Sequence, residues 1–235
     1  MVRVELKGLT KDFGAHRVVN DVSFDVRAGV ITGFLGPNGA GKTTTLRMAL
    51  DLIKPTSGEA LFDGKRYSDL PAPRRVVGAL LEAAGVHPAR KGRDHLRILA
   101  QITGLPQSRV DEVIDLVDLS AAAGDKVKTY SLGMRQRLGL AGALLGDPDV
   151  LILDEPGNGL DPAGMAWLRE LLRAQAAEGR TVLVSSHILS EVEQTVDDVV
   201  IIQDGTLRFS GALSSFGATS LEEAFLTMTS TQRKA

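Results

Sequence analysis

The 235 residues contain no cysteine, one tryptophan and two tyrosines, and aromatic side chains make up only 4% of the chain. Without cysteine there can be no disulfide framework and no thiolate metal site, which fits a reducing compartment. No apolar run approaches the roughly 18 residues that cross a bilayer, so any membrane role has to come through a partner chain. Met1 to Lys7 alternates charged residues with valine and leucine and lacks the basic-then-apolar layout of a secretory signal. The formal net charge of −2 supplies no global basic field for nucleic acid or anionic lipid. No internal repeat and no low-complexity tract interrupts the chain.

A hydrophobic fraction of 43% and a charged fraction of 24% are ordinary for a globular domain of this length. Val2, Val4 and Leu6 alternate with polar neighbours as in a half-buried strand, and a second strand is expected from Val22 to Val26 after a turn at Asn20–Asp21. Val30 to Leu35 is a continuous apolar run, the pattern of a parallel strand buried on both faces. Lys42 to Ile53 carries helical spacing, to be stopped by Pro55 and Gly58. Gly58 to Tyr67 reads as a short hairpin around Asp63–Gly64. Val76 to Leu81 is another strand.

From Gly92 to Gly146 the texture is helical, broken at Gly104–Pro106 and at Ala121–Gly124. Strand texture returns at Val150–Leu153, Thr181–Ser185 and Val199–Gln203, with helices at Pro162–Ala177 and Ile188–Thr195 between them. Such alternation predicts an α/β fold on a largely parallel sheet, with the helical middle inserted into it. The last dozen residues are expected to fray.

Gly36-Pro37-Asn38-Gly39-Ala40-Gly41-Lys42-Thr43 fits G-x-x-x-x-G-K-[ST] between a predicted strand and a predicted helix. Its glycines admit backbone angles and close approaches that a side chain would block. The loop amides and the helix start, including Thr44, then surround phosphate oxygens with aligned donors. Lys42 would reach the β- and γ-phosphates, and the Thr43 hydroxyl would take a place on Mg²⁺. A tight turn without ligand is the bland reading of the same glycines; the full pattern in its context favours phosphate binding.

Val150-Leu151-Ile152-Leu153-Asp154-Glu155 delivers two carboxylates to the carboxyl end of a buried strand, where α/β sheets bind ligands. Asp154 would hold Mg²⁺ through water, and Glu155 would orient and polarise the attacking water. Alone, such a pair reads more readily as solvated acids in a strand-end turn, but a phosphate loop needs a metal-binding acid on a neighbouring strand. His187 ends the run Val182-Leu183-Val184-Ser185-Ser186-His187 at a second strand end. It is placed to sense the γ-phosphate or to hold the water, against the alternative of a structural capping histidine. His16, His87 and His95 have no comparable context.

The segment Tyr130-Ser131-Leu132-Gly133-Met134-Arg135-Gln136-Arg137 resembles the signature of the ABC ATPases, L-S-G-G-Q followed by R-Q-R. Asn158-Gly159-Leu160-Asp161-Pro162 resembles the D-loop of that family, and no guanine-reading N-K-x-D follows the phosphate loop. The resemblance covers nearly the whole chain. It implies a P-loop NTPase with a RecA-like parallel core, an antiparallel β subdomain and an inserted helical subdomain. The expected division is residues 1–82 and 147–211 for the core, 83–146 for the helical part, and 212–235 for a short helix and tail.

It further implies ATP and Mg²⁺ as cofactors and a head-to-tail homodimer enclosing two ATP molecules. In that dimer Ser131 and the Gly133 amide would contact the γ-phosphate bound to the other subunit, Asp161 would communicate between the sites, and Phe13 would stack on adenine. A transmembrane permease is the implied partner, with no nucleic acid, and the implied place is cytoplasmic, on the inner face of the membrane.

Two departures narrow the subgroup. Leu132 and Met134 stand where the family has glycine and glutamine, and Glu82 stands where it has the Q-loop glutamine that approaches Mg²⁺. The Y-S-L-G-M form and this glutamate resemble ATPase subunits of bacitracin-type and related antibiotic exporters. The basic stretch Arg90-Lys91-Gly92-Arg93, with Arg97, would face a permease helix or simply be a solvated face. Two rival readings remain. A soluble ABC protein acting on ribosomes or DNA is disfavoured by the single cassette and the lack of heptads. A catalytically idle cassette is disfavoured by the intact Lys42, Asp154, Glu155 and His187.

Overall fold

A computed structural model describes residues 2–81 and 85–229. The chain forms strands β1 (Val4–Phe13), β2 (His16–Val26), β3 (Ile31–Leu35), β4 (Ser57–Phe62), β5 (Val77–Leu80), β6 (Val150–Asp154), β7 (Thr181–Ser186), β8 (Asp198–Gln203) and β9 (Thr206–Ala212). The helices are α1 (Lys42–Ala49), α2 (Pro73–Val76), α3 (Gly92–Ile102), α4 (Ser108–Leu116), α5 (Leu132–Leu144), α6 (Pro162–Ala177), α7 (Leu189–Glu193) and α8 (Leu221–Thr229).

Two sheets result. One has the order β2-β1-β4 and is antiparallel; the other has the order β5-β6-β7-β3-β8-β9. In the larger sheet every pairing is parallel except that of β8 with β9.

The apolar runs of β6, β7 and β8 are continuous, and β3 is interrupted only by the buried Thr32 and Gly33, because this sheet lies between two cores. Ile31, Leu35, Leu151, Leu153, Val182, Val184, Val199 and Ile201 pack on the side of α3 to α6. Their alternates Phe34, Val150, Ile152, Leu183, Val200 and Ile202 join a second core with β1, β2 and α1. Successive side chains point to opposite faces, so only a strand covered on both faces can be apolar at every position. Phe24 of β2 meets Phe34 of β3 across that second core, ring centroids 5.3 Å apart.

Several local expectations give way. The first hairpin turns at Gly14–Ala15, and β2 runs straight through Asn20–Asp21. Asp21 has φ +52 beside a register shift, so the turn residues mark a bulge within the ladder rather than its end. Only one bridge, Phe62 to Lys65, remains of the hairpin expected at Asp63–Gly64, because β4 pairs with β1 instead. Helix α1 ends at Ala49, before Pro55 and Gly58 are reached. Asp51 takes φ +54, Leu52 donates to the Arg47 carbonyl at 2.9 Å, and Asp51 donates to that of Met48 at 3.1 Å. This is a Schellman closure with aspartate in the left-handed position. Strand β9 was not expected; its exposed and half-buried residues lack a clean alternation.

Candidate functional site

Strand β3 is flanked by β7 and β8, and β6 lies beyond β7. The carboxyl ends of β3, β7 and β6 therefore stand side by side, as the loops of a parallel sheet require. The phosphate-loop segment leaves β3 at Gly36 and enters α1 at Lys42. Gly39 has φ +82 and Gly41, the residue capping α1, has φ +100. A Cβ on Gly41 would lie 2.8 Å from the Val18 carbonyl oxygen, and one on Gly36 would lie 2.4 Å from that of Ile202. The loop is glycine-rich because β2 and β8 press their backbones against it.

Lys42 is buried, and its ammonium donates to the carbonyls of Gly36 at 2.6 Å and Pro37 at 3.4 Å. Burial pulls its pKa below the ordinary lysine value, opposed by the nearby carboxylates of Glu155 and Asp154. The Thr43 hydroxyl donates to Asp154 Oδ2 at 2.6 Å. Residues from Asn38 to Thr44, with Val18, Asp154 and Glu155, line a cleft of about 260 Å³. Thr43 and Asp154 thus present adjacent hard oxygen donors, which suit Mg²⁺, a cation that takes few protein ligands and completes its shell with water and phosphate. Among the described residues no three His, Asp or Glu side chains could hold a metal by themselves. Glu82 lies outside the described residues.

Glu155 follows β6 with φ +50, an uncommon angle for a residue bearing a Cβ. Its amide donates to Ser185 Oγ at 2.9 Å, and the same hydroxyl donates to Asp154 Oδ1. Its carbonyl accepts from the Asn158 amide at 3.2 Å and from Gln136 Nε2 at 3.3 Å. Its carboxylate meets His187 Nδ1 at 2.7 Å. Lys42, Thr43, Asp154, Glu155 and His187 are therefore drawn together from three strand ends.

The remaining expected residues stand apart from the cleft lining. Phe13 is exposed at the hairpin tip, with the Lys11 ammonium 5.0 Å from its ring centre. Ser131 caps α5, its Oγ accepting from the Met134 amide at 3.2 Å. Asp161 caps α6, accepting from the Gly164 amide at 2.8 Å. Leu132 is half exposed and covers Gly159, where a Cβ would meet its side chain at 2.3 Å; a Cβ added at Gly133 would lie 3.1 Å from the Gly159 carbonyl oxygen. In the basic stretch, Arg93 pairs with Asp111, and Arg97 lies 3.9 Å from Asp94.

Two polar residues at the site had no expected role. Ser185 is the first polar residue after the apolar run of β7, and that interruption was the available signal. Gln136 is 5% exposed on a helix buried over much of its surface, so its polarity carried little contrast with its neighbours.

The family model for ABC transporters matches residues 19–158. The chain belongs to the ABC transporter family. This ABC cassette is 45% identical over 207 residues to the bacitracin transport ATP-binding protein BcrA of Bacillus licheniformis, covering 87% of this chain and 68% of that protein. It is 35% identical over 224 residues to the lantibiotic transport ATP-binding protein SrtF of Streptococcus pyogenes, covering 94% and 95%.

A solved structure of an ATP-binding subunit of an ABC transporter superposes with a TM-score of 0.86 at 30% identity, over 96% of this chain and 98% of that one. A dimeric cassette in a post-hydrolysis state with ADP and phosphate shares the fold at 24% identity, with a TM-score of 0.80 over 89% and 98%. The ABC cassette is thus a P-loop NTPase and an ATPase, the ATP-binding subunit of a transporter system. Among its described residues no helix is long and apolar enough to cross a membrane.

Proposed function

We propose that this ATPase powers export of a drug, antibiotic or peptide through a separate transmembrane permease, by closing as an ATP-bound homodimer and opening after hydrolysis. The observation that carries the reading is the joining of Lys42, Thr43, Asp154 and Glu155 at one cleft, with His187 on the Glu155 carboxylate, while the signature segment lies outside that cleft's lining. A cassette built so needs a second signature to close over its nucleotide.

In this mechanism the amides of Gly39 to Thr44 and the Lys42 ammonium bind and orient the phosphates of ATP. Thr43 and Asp154 would hold Mg²⁺, which supplies neutralisation of the charge on the β- and γ-phosphates. Glu155 accepts a hydrogen bond from the attacking water, and His187, paired to the Glu155 carboxylate, keeps that carboxylate aimed. Ser131 and the Gly133 amide complete the γ-phosphate shell of the opposite subunit, and Asp161 links the two sites through the start of α6. Phe13 supplies a face for adenine. Loss of the γ-phosphate removes the contact that joins the subunits, a two-state switch that a permease can follow.

The similarity to bacitracin and lantibiotic transport proteins supports the exporter reading, as do Leu132, Met134 and Glu82. On this reading the cassette works at the cytoplasmic face of the membrane, bound to the permease and not to nucleic acid. Residues 1–82 and 147–211 would act as the catalytic body, 83–146 as the helical part that meets the permease, and 212–235 as a terminal helix and tail.

The test is Glu155→Gln. Turnover should fall by about 10²- to 10⁴-fold with ATP binding retained, and light scattering should show an ATP-dependent dimer. Wild-type turnover in that variant would remove Glu155 from its role. A monomer at saturating ATP would remove the dimer. A pull-down in mild detergent should recover a polytopic membrane protein; recovery of ribosomes or DNA alone would end the transport reading.

A further inference from the structure

Glu155 is held in the left-handed region at both of its peptide groups. On one side its amide reaches Ser185 of β7; on the other its carbonyl accepts from the Asn158 amide and from the Gln136 side chain. Gln136 is the contact that comes from outside the β6 and β7 region. It sits on α5, the helix that Ser131 caps, and its amide nitrogen lies 3.3 Å from the Glu155 carbonyl oxygen.

The side chain is 5% exposed, and its other polar atom, Oε1, is buried without a hydrogen-bond partner among the described residues. A buried amide that uses only its donor half carries a desolvation penalty that an apolar side chain of the same length would avoid. Stability alone therefore does not account for a glutamine at this point.

We infer that Gln136 is a positioning residue for ATP hydrolysis: it grips the Glu155 backbone carbonyl and so holds the carboxylate at its working angle. Removing the donor frees one end of a residue whose φ of +50 the backbone does not favour by itself. The peptide can then relax toward an extended or right-handed angle, which swings the carboxylate away from His187 and from the attacking water. Misplacement of about an ångström at a reacting group costs on the order of 10²-fold in rate. The same grip ties the signature helix to the hydrolytic glutamate of its own subunit. A signature engaged by one nucleotide is thereby in mechanical contact with the base of the other site. This inference rests on the role proposed for Glu155.

Gln136→Met keeps length and burial but cannot donate, and it relieves the unpaired Oε1. Steady-state hydrolysis by this variant should show kcat lowered by about 10- to 100-fold, with KM for ATP within about twofold. Binding of a fluorescent ATP analogue should be unchanged, and the melting temperature equal to or above that of the unaltered protein. Gln136→Glu, which sets a carboxylate against the carbonyl oxygen, should lower kcat further.

A kcat within twofold of the unaltered protein in Gln136→Met would overturn the inference. So would a fall in analogue affinity that matches the fall in rate, because the residue would then act on the whole fold of the site. Glu155→Gln run alongside separates the two levels. Normal hydrolysis there removes the proposed role of Glu155 and this inference with it, whereas an inactive Glu155→Gln beside a fully active Gln136→Met removes this inference alone.

Discussion

The phosphate loop and the signature segment are both glycine-bearing turns that start a helix, yet they are built to opposite ends. The loop before α1 is sealed by its own chain: Val18 and Ile202 carbonyls press on Gly41 and Gly36, Lys42 is buried, and Thr43 is joined to Asp154. The start of α5 is open. Ser131 is exposed, and half of Leu132 lies in solvent over Gly159. Helix N-termini attract anions in either place, but only the first is enclosed by protein that could orient a bound phosphate. The second presents donors on a surface, as half of a site would.

The sharpest way to break this comparison is to remove the charge from the enclosed turn. Lys42→Ala should weaken nucleotide binding by the isolated chain by about 10- to 100-fold, or roughly 1.4–2.8 kcal/mol. Equilibrium titration with a fluorescent nucleotide reads it directly, and unchanged affinity would mean that the loop does not bind phosphate. The open turn should behave in the reverse manner. Ser131→Ala should leave that affinity within about twofold while turnover at saturating ATP falls about tenfold, the loss of one charge-assisted hydrogen bond. If affinity and turnover fall together in Ser131→Ala, the two turns serve one subunit's site and the contrast fails.

A smaller effect tests how the open turn is seated. Gly159 has φ +77, and an added Cβ would strike Leu132. Gly159→Ala should therefore cost about 1–3 kcal/mol in denaturant unfolding, from backbone strain and overpacking. Leu132→Gly in the same chain should recover the packing part, a coupling of at least about 0.5 kcal/mol. Strict additivity of the two changes would mean that Leu132 does not rest on Gly159.

The smallest effect lies away from both turns. The Arg180 guanidinium, hydrogen-bonded to Asp147, holds that carboxyl below its usual range, with Arg109 adding to the effect and partial burial opposing it. A depressed carboxyl stabilises the fold above its unfolded pKa, and the contribution is lost as pH falls through the lower folded value. Asp147 is mostly exposed, so solvent screening limits the contribution to about 0.5 kcal/mol. Asp147→Asn should melt slightly below the unaltered protein at pH 7, and the gap should close on acidification. A gap that widens as pH falls would reverse the assignment.

The parallel strands were legible because a strand covered on both faces can be apolar at successive positions; Val150–Leu153 is so throughout, and Val30–Leu35 is so apart from the buried Thr32 and Gly33. The phosphate loop was legible because backbone crowding there admits only glycine at Gly36 and Gly41. The turn at Asn20–Asp21 and the hairpin at Asp63–Gly64 misled for one reason. Aspartate and asparagine tolerate left-handed angles, and this chain spends them on a bulge in β2 and on a single bridge after β4 as readily as on a reversal.

Sequence alone picked out the residues proposed to bind phosphate, metal and water, since those tasks demand glycine, lysine, threonine and carboxylate in a close order. Tertiary structure alone decided what holds them. Ser185 and Gln136 reach Glu155 from 30 and 19 residues away along the chain. Hydrogen bonds between distant segments depend on how strands and helices dock, and leave no local pattern of residues to read.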